Sequence, residues 1–130
     1  MINKETIMSV SKLLGFTAIG NEQDWAIEFA DKNRIIEFIE ILLKIPLSFS
    51  ERYAIISLLL ASYEDYLSEM EDYNRKVWKE IIKTIEYEKG EYDDLLNYWA
   101  LWKETNEREW FNITPLVREY LSWGFEKRNC

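Results

Sequence analysis

Histidine is absent from the 130 residues. That removes the commonest general base, the commonest metal ligand and the usual switch near neutral pH. Cysteine occurs once, as Cys130. A lone thiol makes no intrachain disulfide and no cysteine-based zinc site, so a reducing compartment is permitted. Proline occurs twice and glycine four times. So few turn residues argue against an all-β fold. The glycines stand alone at positions 15, 20, 90 and 124, and no phosphate-cradling loop can be built from them. Long apolar runs are missing too. The longest, Ala54–Ala61, falls far short of the roughly 20 residues a spanning helix needs. The opening MINKETIMSV lacks the basic-then-apolar order of a secretory signal. A soluble, cytoplasmic protein is expected, with no membrane contact.

What remains is apolar and helix-forming. Hydrophobic residues make up 48% and aromatics 15% of the chain, enough for a core without covalent staples. Asn3 can cap a first helix with Ile7, Val10, Leu13 and Leu14 on one face and Gly15 as its stop. Residues 16–24 read as a connection. Trp25–Ala30 is too short for its periodicity to decide, and is read as a short helical or irregular lead-in. Asp31 then suits the N-cap of a helix to about Lys44, with Ile35, Phe38, Ile39, Leu42 and Leu43 buried and Pro46 closing it. Ser48 and Glu51 match a capping box. The helix they open carries Ile55, Ile56, Leu58, Leu59 and Leu60, is apolar nearly all round, and should be the most buried.

Asn74 can cap a further helix with Val77, Trp78, Ile81, Ile82 and Ile85 inward and Arg75, Lys76, Lys79 and Lys83 outward. Gly90 is its stop. Asp93 or Asp94 starts another helix, bearing Leu95, Leu96, Trp99 and Trp102. Thr105–Asn112 reads as a loop or broken turn. Thr114 as N-cap and Pro115 in the first turn open the last helix, which Gly124 ends. The expected fold class is all-α, a single compact bundle of about six helices over residues 1–130.

No constellation for catalysis emerges. There is no nucleophile–base pair. The adjacent carboxylates Glu64/Asp65 and Asp93/Asp94 point in different directions on a helix, so neither pair is a natural acid–base dyad. Glu86–Asp94 lacks the spacing of an EF-hand loop. No enzyme activity, metal or cofactor is expected. Aromatic side chains could offer a stacking platform, but such platforms travel with a positive groove. Trp78 and Trp99 read as core. Trp102 and Trp110 sit beside Lys103, Glu104, Glu107 and Glu109, where an exposed indole in a polar rim suits an interface anchor.

The net charge is −8, and it is concentrated. Glu64–Asp72 carries −5 and Glu86–Asp94 carries −4, which leaves the rest of the chain near neutral. Phosphate contacts need basic patches, so nucleic acid is not an expected partner. A basic protein is the natural complement. The expected binding residues are Glu64, Asp65, Glu69, Asp72, Glu91, Asp93 and Asp94 as an electrostatic face, with Trp102 and Trp110 as anchors.

The segments QDWAIEFADKNRIIEFIE, ISLLLASYEDYL and NYWALWKETNEREWFNITPLVREYL give a small, acidic, histidine-free helical chain. It resembles the immunity proteins encoded beside bacterial polymorphic and contact-dependent growth inhibition toxins. The resemblance carries no diagnostic motif, so no residue is transferred by position. It implies a protein that binds one cognate toxin domain, often a basic nuclease, and occludes its active site. An alternative is a non-catalytic helical adaptor or regulatory module, as a monomer or a homodimer.

Overall fold

A computed structural model describes residues 2–70 and 75–128, with side chains up to residue 122. The described residues form seven α-helices and one 3-10 turn, and the fold is all-α. The chain divides into two compact units, Met1–Tyr87 and Glu88–Cys130.

In the first unit, α1 (Lys4–Leu14) starts where Asn3 Oδ1 accepts from the Thr6 amide at 2.8 Å. It ends at Gly15, whose φ of 79° is left-handed. A short α2 (Trp25–Glu28) follows. Trp25 is buried and donates its indole N–H to Ser11 Oγ at 2.9 Å, which pins α2 to α1. Phe16 stacks on Phe29 at 4.8 Å and meets the edge of Trp25 at 6.1 Å.

The next helix, α3 (Ile35–Lys44), has its N-cap at Arg34, three residues later than the Asp31 cap expected. The Asp31 carboxylate bonds the amide two residues on, at Asn33 (2.9 Å), which makes a turn rather than a helix cap. The Asp31 amide is itself taken by Ser62 Oγ at 2.9 Å. Two expected core positions are also corrected: Leu13 is 44% exposed and Leu43 49% exposed. Both lie at the margin of their apolar stripe. Ile45, just before Pro46, is extended, as the proline ring requires.

The longest helix, α4 (Phe49–Glu69), opens on the capping box anticipated from the sequence. The Glu51 amide donates to Ser48 Oγ (3.2 Å) and the Ser48 amide to Glu51 Oε1 (2.9 Å). Ser9 Oγ donates to the other Glu51 oxygen at 2.7 Å, which ties α1 to the same cap. Ala54, Ile55, Ile56, Leu58, Leu59, Leu60, Ala61 and Tyr63 are all buried. Helices α1, α2 and α3 pack against α4, which explains why its Ala54–Ala61 stretch lacks a polar face. Each fully buried large aliphatic side chain here contributes about 1.5–3 kcal/mol.

The unit closes with α5 (Lys76–Glu86), packed on α3. Trp78, Ile81 and Ile85 are buried, and Trp78 stacks on Tyr63 at 5.7 Å. Lys76, Lys79 and Lys83 face out. The cap expected at Asn74 lies outside the described residues.

The second unit pairs α6 (Asp93–Ala100) with α7 (Thr114–Arg128). The 3-10 turn Glu107–Glu109 lies in the connection between them. The backbone of α7 continues through Gly124, past the stop expected there. A mid-helix glycine costs only about 1 kcal/mol relative to alanine and does not by itself end a helix.

Candidate functional site

Helix α4 presents Glu64, Asp65 and Glu69 in its last two turns. Asp65 and Glu69 are exposed and Glu64 is half-buried. The negative end of a helix macrodipole lies here, and no basic residue occupies the last turn. Lys32 partly compensates by pairing with Glu69. Asp72 lies outside the described residues. Within the second unit, Asp93 and Asp94 occupy the first turn of α6, where carboxylates suit the helix dipole, and Glu91 is exposed just before them. Trp102 follows the other end of the same helix. Eight residues span about 12 Å, so the second unit's acids and its candidate anchor stand at opposite ends of α6. Among the described residues, no three acidic or cysteine side chains are grouped as a metal site.

The two expected anchors are brought together, by a residue the sequence reading did not single out. Arg118, in the second turn of α7, lies with its guanidinium 4.0 Å from the ring centre of Trp110 and 5.3 Å from that of Trp102. It donates through Nε to the Ala100 carbonyl at 2.6 Å, and through Nη2 to the carbonyls of Leu101 and Glu104. These carbonyls include those left without helical partners at the end of α6. One side chain therefore caps α6, fixes the following turn and supports both indoles. The signal was present, in that an arginine at i+4 from Thr114 and i−3 from Leu121 lies on the apolar flank of an amphipathic helix.

The indoles play different parts. Trp110 is half-buried and donates its N–H to the Glu104 carbonyl at 2.9 Å, so it is built into the connection. Trp102 is 48% exposed and donates to Asn97 Oδ1 at 2.7 Å. Behind them, Trp99 is buried against Phe111, with ring centres 4.8 Å apart. Thr114 Oγ accepts from the Phe111 amide (3.1 Å) and donates to the Trp99 carbonyl (2.8 Å). Its hydroxyl thus locks the connection to α6 instead of capping α7 in the expected manner.

Leu101 holds this corner in a left-handed conformation, with φ at 47°. A non-glycine residue there carries about 1–2 kcal/mol of local strain. Asn97, Tyr98, Leu101, Trp102, Lys103 and Glu104 line an open groove of about 470 Å³. Its aromatic walls are accessible, with Tyr98 52% exposed. The arrangement offers recognition chemistry: two aromatic faces, a carboxylate and an ammonium around an apolar floor. No protein-family model matches the chain, and no curated protein or solved structure matches it either.

Proposed function

We propose that this chain is an immunity-type protein, a non-catalytic inhibitor that binds one cognate bacterial toxin domain and occludes its active site in the cytoplasm. The partner is basic, and a nuclease is the natural candidate because an enzyme acting on phosphates carries a positive site. The observation that carries this reading is the end of α4. Glu64, Asp65 and Glu69 accumulate in the last two turns, and Glu69 stands in the last one, where the helix dipole disfavours it and no basic residue lies beside it in the turn. A locally unfavourable choice of this kind is expected where function outweighs stability. Opposite charge on a partner would turn that cost into fast, steered association.

The test is co-expression with the toxin domain encoded beside the gene, followed by binding kinetics. Asp65→Lys with Glu69→Lys should slow association about tenfold or more at low salt and flatten its salt dependence. Unchanged neutralisation with unchanged salt dependence removes the electrostatic face from the mechanism.

A second reading, a helical adaptor or homodimer, draws on a different observation. Ile36 and Leu43 lie seven residues apart on α3 and are both exposed, beside exposed Ile45. This reading predicts a partner that is harmless when expressed alone, or a dimer in sedimentation that Leu43→Glu dissociates.

A further inference from the structure

The groove beside Trp102 has features that select a ligand class. Its walls are the exposed ring of Tyr98 and the half-exposed indole of Trp102. Its edge is the last turn of α6, the negative end of that helix, where Arg118 caps the Ala100 and Leu101 carbonyls. Glu104 contributes a carboxylate to the lining, and Glu107 and Glu109 follow on the exposed 3-10 turn, with Arg108 between them. The same corner already holds one guanidinium, since Arg118 lies against both indoles and three carbonyls. The charge of Arg118 is therefore engaged within the corner. Lys103 is the opposing charge in the groove; it is exposed, and its long stem lets the ammonium turn to solvent.

We propose that this groove is an arginine-binding site, in which a protein partner's guanidinium lies on the Trp102 and Tyr98 rings and meets the Glu104 carboxylate. Arginine fits better than lysine because its planar, weakly hydrated group stacks on aromatic faces while its donors reach a carboxylate. Residues 104–109 carry a net −2, with Glu104, Glu107 and Glu109 against Arg108, which makes a basic segment the complementary occupant. The proposal deepens the inhibitor reading by naming the side chain that would anchor the partner, and rests on that reading only for the partner's identity.

The test is a nuclear magnetic resonance titration of the full chain with three probes: hexa-arginine, hexalysine and N-acetyl-leucinamide. Hexa-arginine should move the Trp102 indole N–H and the amides of residues 97–104, and should bind more tightly than hexalysine. Trp102→Ala, at an exposed position, should weaken hexa-arginine about fivefold. Glu104→Gln, which keeps an acceptor for the Asn106 amide, should weaken it by a smaller factor. Equal affinity for both cationic peptides, with shifts confined to residues 64–69, overturns the proposal. So does a stronger response in the groove to N-acetyl-leucinamide. Toxin neutralisation by Trp102→Ala separates the two readings. Full neutralisation with lost arginine binding leaves the groove an arginine site and removes it from inhibition. Unchanged neutralisation with no arginine response in the parent chain refutes the groove and leaves the inhibitor standing.

Discussion

The two units end a helix in the same backbone conformation by opposite means. In the first unit, α1 stops on Gly15, at φ 79°, with open space where a Cβ would lie. In the second, α6 stops on Leu101, at φ 47°. Glycine adopts the left-handed region without steric cost, whereas leucine does so only if its surroundings impose it. At Leu101 they do, through Arg118 and the carbonyls of residues 100, 101 and 104. The same contrast runs through both cores. The first unit is organised by a largely aliphatic helix, with a few directional contacts such as Trp25 to Ser11 at its margins. The second depends on a few directional contacts, with Arg118 and Thr114 bonding to backbone across the α6–α7 connection. A core of the first kind tolerates shape changes, while one of the second kind fails when a single donor is lost.

The largest effects separate the units. Leu59 is fully buried in α4, and Leu59→Ala should cost about 3–4 kcal/mol through lost burial and a cavity. Arg118→Met keeps much of the side-chain volume but leaves the end of α6 uncapped. It should cost about 2–3 kcal/mol, because hydrogen bonds from a charged donor to part-buried carbonyls are lost. Amide hydrogen exchange distinguishes the two. Arg118→Met should deprotect residues 99–117 and spare residues 55–60, with the reverse emphasis for Leu59→Ala. Equal loss across both units in either variant would make the chain one cooperative block and erase the distinction.

The helix ends give a smaller and sharper test. Gly15→Ala should destabilise by about 1 kcal/mol in chemical denaturation, since only backbone conformation opposes the methyl group. Leu101→Gly relieves strain but forfeits the partial burial of leucine, so its net effect on stability should stay within about 0.5 kcal/mol. Hexa-arginine binding should nonetheless weaken, because the groove loses one of its lining side chains and the turn its rigidity. If Leu101→Gly instead costs as much as Gly15→Ala, the leucine is there for stability alone.

These contrasts also explain what the sequence could reveal. The capping box at Ser48 and Glu51, the glycine stop at Gly15 and the buried apolar stretch Ala54–Ala61 of α4 follow from local rules, and each stands where those rules put it. The start of α3 is ambiguous in the sequence because Asp31 suits a turn and a helix cap equally well. Ser62, 31 residues away, takes its amide and settles the choice. Trp102 and Trp110 could not be told apart from their neighbours in the chain. Their difference is made by Arg118 and Asn97, and thus by tertiary contacts that have no periodic signature. The acidic segments were plain in the sequence, but their placement against the α4 dipole and with the α6 dipole depends on where each helix begins and ends.

The smallest predicted effect concerns the cap shared by α1 and α4. Hydrogen bonds from the Ser48 amide, and then from Ser9, hold the Glu51 carboxyl below its ordinary value of 4.5. Its folded-state pKa is thus depressed relative to the unfolded chain. The stabilisation is fully present above the unfolded value and is lost as pH falls through the folded one. Between neutral pH and about pH 5 the cap should contribute without change. Below that range, Glu51→Gln should lose less stability than the parent chain, because glutamine keeps an acceptor and has no proton to bind. The two denaturation midpoints should therefore converge on acidification. The carboxylate is largely solvent-accessible, which keeps the effect small. Parallel midpoints from pH 7 to pH 3 would mean that the Ser9 and Ser48 bonds are not maintained in solution. In that case α1 would be held to α4 by its apolar face alone.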